Sequence, residues 1–155
     1  MRLLFRQRMF SWFDSYDIYD EAGNTLFVVK GQLAWGHMLQ IFDAAGNHLG
    51  TVKEEVLTFL PRFALYSGNQ YIGDIRKEFT LMRPRFTLNY AGGTVQGDVM
   101  SWNYQIANEQ GFVVAHASKQ LLNWTDTYLI DVPNPHDVLL SLMIVLAIDV
   151  AKRSV

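Results

Sequence analysis

Val138–Ile148 reads VLLSLMIVLAI, an apolar run in which Ser141 is the only polar residue. Ahead of it stands Asn134-Pro135-His136-Asp137: an N-cap residue, Pro at the first helical position and an acid in the first turn, which together mark a helix start. The pattern predicts a helix over about 135–152. Its apolar residues leave no polar face over three turns, so the helix must be enclosed on all sides. Ser141 can satisfy its hydroxyl against the carbonyl four residues earlier, and Asp149 stands four residues before Arg153, which offsets an acid poorly placed for the helix dipole. At 1.5 Å per residue the run is about 16 Å long, roughly half of a ~30 Å hydrocarbon core. It is too short to span a membrane, so the rest of the chain must enclose it.

Upstream, apolar pairs at i and i+2 recur as Tyr16/Ile18, Leu39/Ile41, Phe63/Leu65, Phe86/Leu88, Tyr104/Ile106 and Tyr128/Ile130. Each of the first five is followed by a turn carrying glycine: Ala22-Gly23-Asn24, Ala45-Gly46-Asn47, Ser67-Gly68-Asn69, Ala91-Gly92-Gly93 and Gln110-Gly111. Gly and Asn tolerate the positive φ of tight hairpin turns, so each unit reads as strand, turn, strand. Between hairpins lie short apolar segments, Gln32–Trp35, Val56–Phe59, Phe79–Met82, Val99–Trp102 and Leu121–Trp124, read as further strand. The chain is therefore expected to be mainly β over about 3–132, with ten or more strands of period-two character. So many consecutive antiparallel strands make a sandwich or a closed barrel, and closure removes exposed edges. The enclosed helix favours a closed antiparallel barrel of about twelve strands threaded by its own C-terminal helix, one domain over residues 1–155. The N-terminal stretch, Met1–Phe13, is amphipathic as a helix and alternating as a strand; the repeat favours a first barrel strand.

The 155 residues suit a single core that buries roughly 70% of the unfolded surface. Half the residues are hydrophobic and 18% are charged, which excludes disorder. With no cysteine, disulfides, Cys-ligated metals and thiol nucleophiles are excluded. A net charge of −2 argues against nucleic acid as partner. Arg2, Arg6 and Arg8 interrupt the apolar N-terminus, so no signal-peptide core is present and a cytoplasmic location is expected.

Taken in order, Phe5-Arg6-Gln7-Arg8, Tyr16-Asp17-Ile18-Tyr19-Asp20, Gly31-Gln32-Leu33, Asn123-Trp124-Thr125-Asp126 and Ala147-Ile148-Asp149 resemble bacterial members of the LURP-one-related family. The likeness extends over the whole chain. It implies a fold like that of the tubby C-terminal domain and the phospholipid scramblases, a twelve-stranded barrel around a hydrophobic helix. It brings no assigned activity, although the tubby likeness makes a phospholipid headgroup a natural ligand.

No nucleophile elbow, phosphate loop or metalloprotease motif occurs, and no cofactor is expected. His37, His48, His116 and His136 fall in four different units and read as surface or capping residues. Asp14/Asp17, Asp17/Asp20 and Glu54/Glu55 read as solvated neighbours rather than an acid/base pair. Asp126, set among aromatics, reads as a buried turn acceptor. No catalytic residue is assigned. Leu60-Pro61-Arg62-Phe63 and Arg83-Pro84-Arg85-Phe86 occupy equivalent places in successive repeats, so Arg62, Arg83 and Arg85 are candidates for a guanidinium cluster that grips phosphate or carboxylate. The competing reading pairs them with Glu54, Glu55, Asp74 or Glu78 on adjacent strands. The chain is thus expected to be a non-catalytic binding or scaffold protein, at or near a membrane surface if its ligand is an anionic headgroup. A protein partner held by exposed aromatics, Trp12, Phe13, Trp35 and Trp102, is the alternative, and a lipid-modifying or hydrolytic enzyme is the remote one.

Overall fold

The computed structural model describes residues 1–6, 15–34, 36–78, 85–89, 93–122 and 125–153. Twelve strands come first: β1 (Arg2–Arg6), β2 (Ser15–Tyr19), β3 (Thr25–Ala34), β4 (Gly36–Asp43), β5 (His48–Glu54), β6 (Arg62–Ser67), β7 (Gln70–Glu78), β8 (Arg85–Asn89), β9 (Thr94–Asp98), β10 (Asn103–Ala107), β11 (Val113–Leu122) and β12 (Thr125–Asp131). A 3₁₀ turn over Pro135–Asp137 then leads into α1 (Val138–Arg153), where the sequence places one helix over about 135–152. Asn134 caps the turn, its side chain accepting the His136 N–H at 3.0 Å.

The i, i+2 pairs mark the inner side of the sheet. Leu39, Ile41, Phe63, Leu65, Phe86, Leu88, Tyr104, Ile106, Tyr128 and Ile130 are buried, as is Ile18, while Tyr16 is half-buried. Three turns share one construction. The Asp20 carboxylate accepts both the backbone and the side-chain amide of Asn24, the Asp43 carboxylate does the same for Asn47, and the Asn108 side chain accepts the N–H groups of Gln110 and Phe112. These bonds hold the Asp20 and Asp43 carboxyls below the usual carboxylate range.

Strand order is β1-β12-β11-β10-β9-β8-β7-β6-β5-β4-β3-β2, with neighbouring strands antiparallel. Two junctions are narrow: β8 meets β9 at Thr87/Thr94, and β1 meets β2 at Leu4/Tyr19. By contrast β1 pairs with β12 from Arg2/Asp131 to Arg6/Thr127. Up-and-down connectivity sends successive connections to alternate ends. One end holds the β2–β3, β4–β5, β6–β7 and β10–β11 turns and the start of α1; the other holds the β5–β6 loop, the β9–β10 turn and the end of α1.

Residues 141–151 of α1 are all buried, and the helix packs on β5, β6, β7 and β11, strands from well-separated parts of the order. The sheet therefore curls around it. Each buried Leu, Ile, Met or Val of α1 contributes about 1.5–3 kcal/mol of gross transfer energy. Gly50 on β5 makes room for the helix: a Cβ there would stand 2.8 Å from the Tyr66 carbonyl oxygen and 3.1 Å from Met143 Sδ.

The inter-hairpin segments need correction. Val56–Phe59 and Val99–Trp102 are a loop and a turn, not strands, because β5 and β9 reach the end of the sheet just before them.

Candidate functional site

Asp74 lies on the outward side of β7, opposite Ala64, yet is fully buried. Arg62 and Arg76, paired across β6 and β7, cover it from above. Arg62 Nε donates to Asp74 Oδ2 at 2.8 Å, Arg76 Nε to Oδ1 at 3.3 Å, and the Tyr71 hydroxyl to Oδ2 at 3.3 Å. Glu55 joins from the β5–β6 loop, 3.1 Å from Arg62 Nε. Burial alone would push the Asp74 carboxyl up, but the hydrogen bonds and charges of Arg76 and Arg62 outweigh it and hold the group below its usual range. The hydrogen bond to Asp74 in turn raises the Arg62 guanidinium.

Of the three predicted arginines, Arg62 sits in this network, with Asp74 and Glu55 as the partners that the competing reading named. The register sets Arg85 opposite Glu78 on β7, so positions 62, 76, 78 and 85 share the outward face. Arg83 lies outside the described residues. Sequence reasoning missed Arg76, which stands in a strand without a local motif; its signal is position, two residues from Asp74 and directly across from Arg62. The side chain of Arg76 is 49% exposed, so it keeps donors free for an outside group.

The β5–β6 loop, residues 55–61, is clamped at its base. The Glu55 N–H donates to the Arg62 carbonyl, the Lys77 N–H to the Pro61 carbonyl, and the Thr58 hydroxyl to the Glu55 carbonyl. His37 Nδ1 and Glu54 Oε2 meet at 2.6 Å beside it. Gly36, at φ +93, lets Val56 pack close, since a Cβ there would meet Val56 Cγ1 at 2.9 Å. At the tip, Leu57 is held at φ 67 with its side chain wholly in solvent, and Phe59 is 95% exposed. The left-handed conformation costs a residue with a Cβ roughly 1–2 kcal/mol. The tip thus presents an apolar side chain under strain with no burial to compensate.

Trp102 requires the opposite correction. A positive φ of 54 in the β9–β10 turn carries its ring inward, where it is 5% exposed and packs on Phe5, Tyr104 and Tyr128. It belongs to the core and not to an exposed aromatic patch. Trp12, Phe13 and Trp35 lie outside the described residues, as does the side chain of Asp126.

A cleft of about 580 Å³ opens at the narrow β1–β2 junction, lined by Leu4, Arg6, Tyr16, Asp17 and Tyr19 among others. Its acids have structural work: Glu21 is 3.6 Å from Arg2, Asp17 accepts from Thr25, and Asp20 holds its turn. The histidines are similarly engaged, His48 with Thr51 and His116 with Asn103. Among the described residues no helix is long and apolar enough to cross a membrane.

A family model described as LURP-one-related matches residues 1–149. The fold is similar to the X-ray structure of a protein from Arabidopsis thaliana, with a TM-score of 0.66 at 17% sequence identity, over 96% of this chain and 90% of that one. Comparison with curated proteins finds no match.

Proposed function

The chain belongs to the LURP-one-related family, and from that premise we propose that it is a non-catalytic cytoplasmic binding protein that recognises an anionic phospholipid headgroup on the outer face of β6–β8. We read its sheet as a tubby-like barrel closed through β1 and β2 around α1, a rigid support for that face. The observation that carries the reading is the Arg62–Asp74–Arg76 arrangement. One buried carboxylate orients two guanidiniums, and with Glu55 sharing Arg62 it holds a half-exposed Arg76 preorganised on the surface. Position 85 stands across from Glu78 on the neighbouring strand. The engagement of His37, His48, His116 and the turn carboxylates in local structure supports a binding role over a catalytic one.

Co-sedimentation with phosphatidylcholine vesicles carrying about 30% phosphatidylserine tests this. Wild type is expected to pellet at low salt and to be released as the Debye length shrinks below ~10 Å near 0.1 M salt. Arg76→Ala with Arg85→Ala is expected to stay soluble, while Arg62 remains to keep Asp74 neutralised. Failure of wild type to pellet at low salt disproves the proposal.

A further inference from the structure

The two ends of the sheet differ in chemistry. At the end where α1 begins, the turns and strand ends carry Asp20, Glu21, Asp43, Glu109, Asp131 and Asp137, faced among the described residues by Arg2 and the amino group of Met1. The opposite end collects cations: Lys53, Arg62, Arg76, Lys77 and Arg85 lie close to it in their strands, and Lys152 sits 4.8 Å over the Trp102 ring. Acids also occur there, but Glu54, Glu55 and Asp74 are bonded to His37, Arg62 and Arg76, Glu78 stands across from Arg85 in the register, Asp98 accepts from the N–H groups of its own turn, and Asp149 is buried in α1. A chain of net charge −2 is thus polarised along its strands.

Apolar side chains are exposed toward both ends, but the two most exposed among the described residues share one loop at the cationic end. Leu57 and Phe59 are fully or nearly fully exposed there, joined by Val56 at 44% and Met100 at 55%. Phe112, 70% exposed, lies at the other end next to the Asn108 turn and near Glu109, with no cation beside it in the turn, and Met1, Tyr71 and Val113, each about half exposed, also lie toward that end. Stable attachment to a bilayer takes two signals, an apolar insertion and a basic surface around it. Both occur together at one end, and the clamped base of the β5–β6 loop keeps its tip in place without a partner.

We propose that this protein docks end-on to an anionic bilayer, Leu57 and Phe59 entering the boundary between headgroups and acyl chains while the acidic end points away. The inference rests on the headgroup reading above and adds to it an orientation and an insertion site. It favours a lipid surface over a protein partner because the apolar tip and the cations coincide at one end while the acids gather at the other.

Because the chain has no cysteine, single labels report position cleanly. Thr58→Cys and Ala45→Cys, each carrying an environment-sensitive fluorophore, are mixed with the phosphatidylserine vesicles. The expected result is a blue shift at position 58 and none at position 45. Leu57→Asp with Phe59→Asp should weaken partitioning about 10–100-fold at a Tm no lower than that of wild type, since both side chains are exposed in the free protein and Asp tolerates the left-handed conformation at position 57. Unaltered vesicle binding by that double variant overturns the insertion and leaves the headgroup reading standing. A shift of both labels overturns the end-on orientation. Absence of wild-type binding removes both proposals, and tip-dependent self-association in sedimentation velocity without vesicle binding assigns Leu57 and Phe59 to a protein contact instead.

Discussion

Replacing Asp74 by Asn removes a charge from beneath two guanidiniums with little change of shape. Hydrogen bonds to charged groups are worth about 1.5–3 kcal/mol each when sheltered. Here the acceptor is fully buried, but the Arg62 and Arg76 side chains are 31% and 49% exposed and can rehydrate, which discounts the sum. Asn keeps one acceptor oxygen. The net cost should be about 2 kcal/mol at neutral pH, a fall in Tm of roughly 4–8 °C for a chain of this size. The sign of its pH dependence follows from the carboxyl being held below its ordinary value of 3.8. A group whose folded value is depressed stabilises the fold above its unfolded value, and that contribution disappears as pH falls through the folded value. The gap between wild type and Asp74→Asn should therefore be full at pH 7, still full at pH 5, and shrinking below pH 3.8. Urea denaturation of both proteins at several pH values measures it. A gap below about 0.5 kcal/mol at pH 7, or one that persists undiminished in acid, would refute the charge network as the cause of burial.

Other perturbations separate packing from backbone strain. Gly50→Ala should cost about 1–3 kcal/mol, because the new methyl meets a backbone oxygen at 2.8 Å that cannot give way; Gly46→Ala, with open space around it but a φ of +90, should cost only about 1 kcal/mol. Thermal melts of the pair decide this, and equal losses would contradict the tight seat of α1 on β5. Leu142→Ala, at a fully buried position in α1, should lose about 2–5 kcal/mol by cavity formation, whereas a loss under 1 kcal/mol would mean that the helix is not enclosed. Leu57→Asn should raise stability by about 0.5–1 kcal/mol, since Asn tolerates the left-handed conformation and no packing is lost; a lower Tm would show that the tip makes contacts in the free protein.

Much of the fold was legible because the enclosure rule is strict. A helix without a polar side demands surroundings, and the i, i+2 pairs supply an inner face; all of them except half-buried Tyr16 are buried. The turns at the acidic end were visible through their glycines, although the Asp or Asn three residues before Gly23, Gly46 and Gly111 marks them better, since it is the acceptor that closes each turn. The apolar segments between hairpins misled because hydrophobicity alone cannot tell a strand from a presented loop. Val56–Phe59 and Val99–Trp102 have similar composition, yet one faces solvent and the other sends Trp102 into the core. That difference follows from backbone angles at Leu57 and Trp102 that composition does not encode. At the basic face, Arg62 was visible through its repeat and Asp74 was among four acids offered as partners, but Arg76 was missed and no single acid could be chosen, because cross-strand register is set by the whole ladder.

The position of α1 in chain order governs how the molecule is made. Every strand is synthesised before the segment that fills the space between them, and Met1 bonds Val132 across 131 positions, so β1 waits for β12. Strands β2–β8 can pair with their neighbours as they emerge, but their inner faces stay wetted until α1 follows. Such non-local completion slows folding and prolongs exposure of sticky surface. Removing the last turns of the helix should therefore yield an aggregating chain rather than a smaller folded one, and a nascent polypeptide halted before Val138 would be a natural client for chaperones.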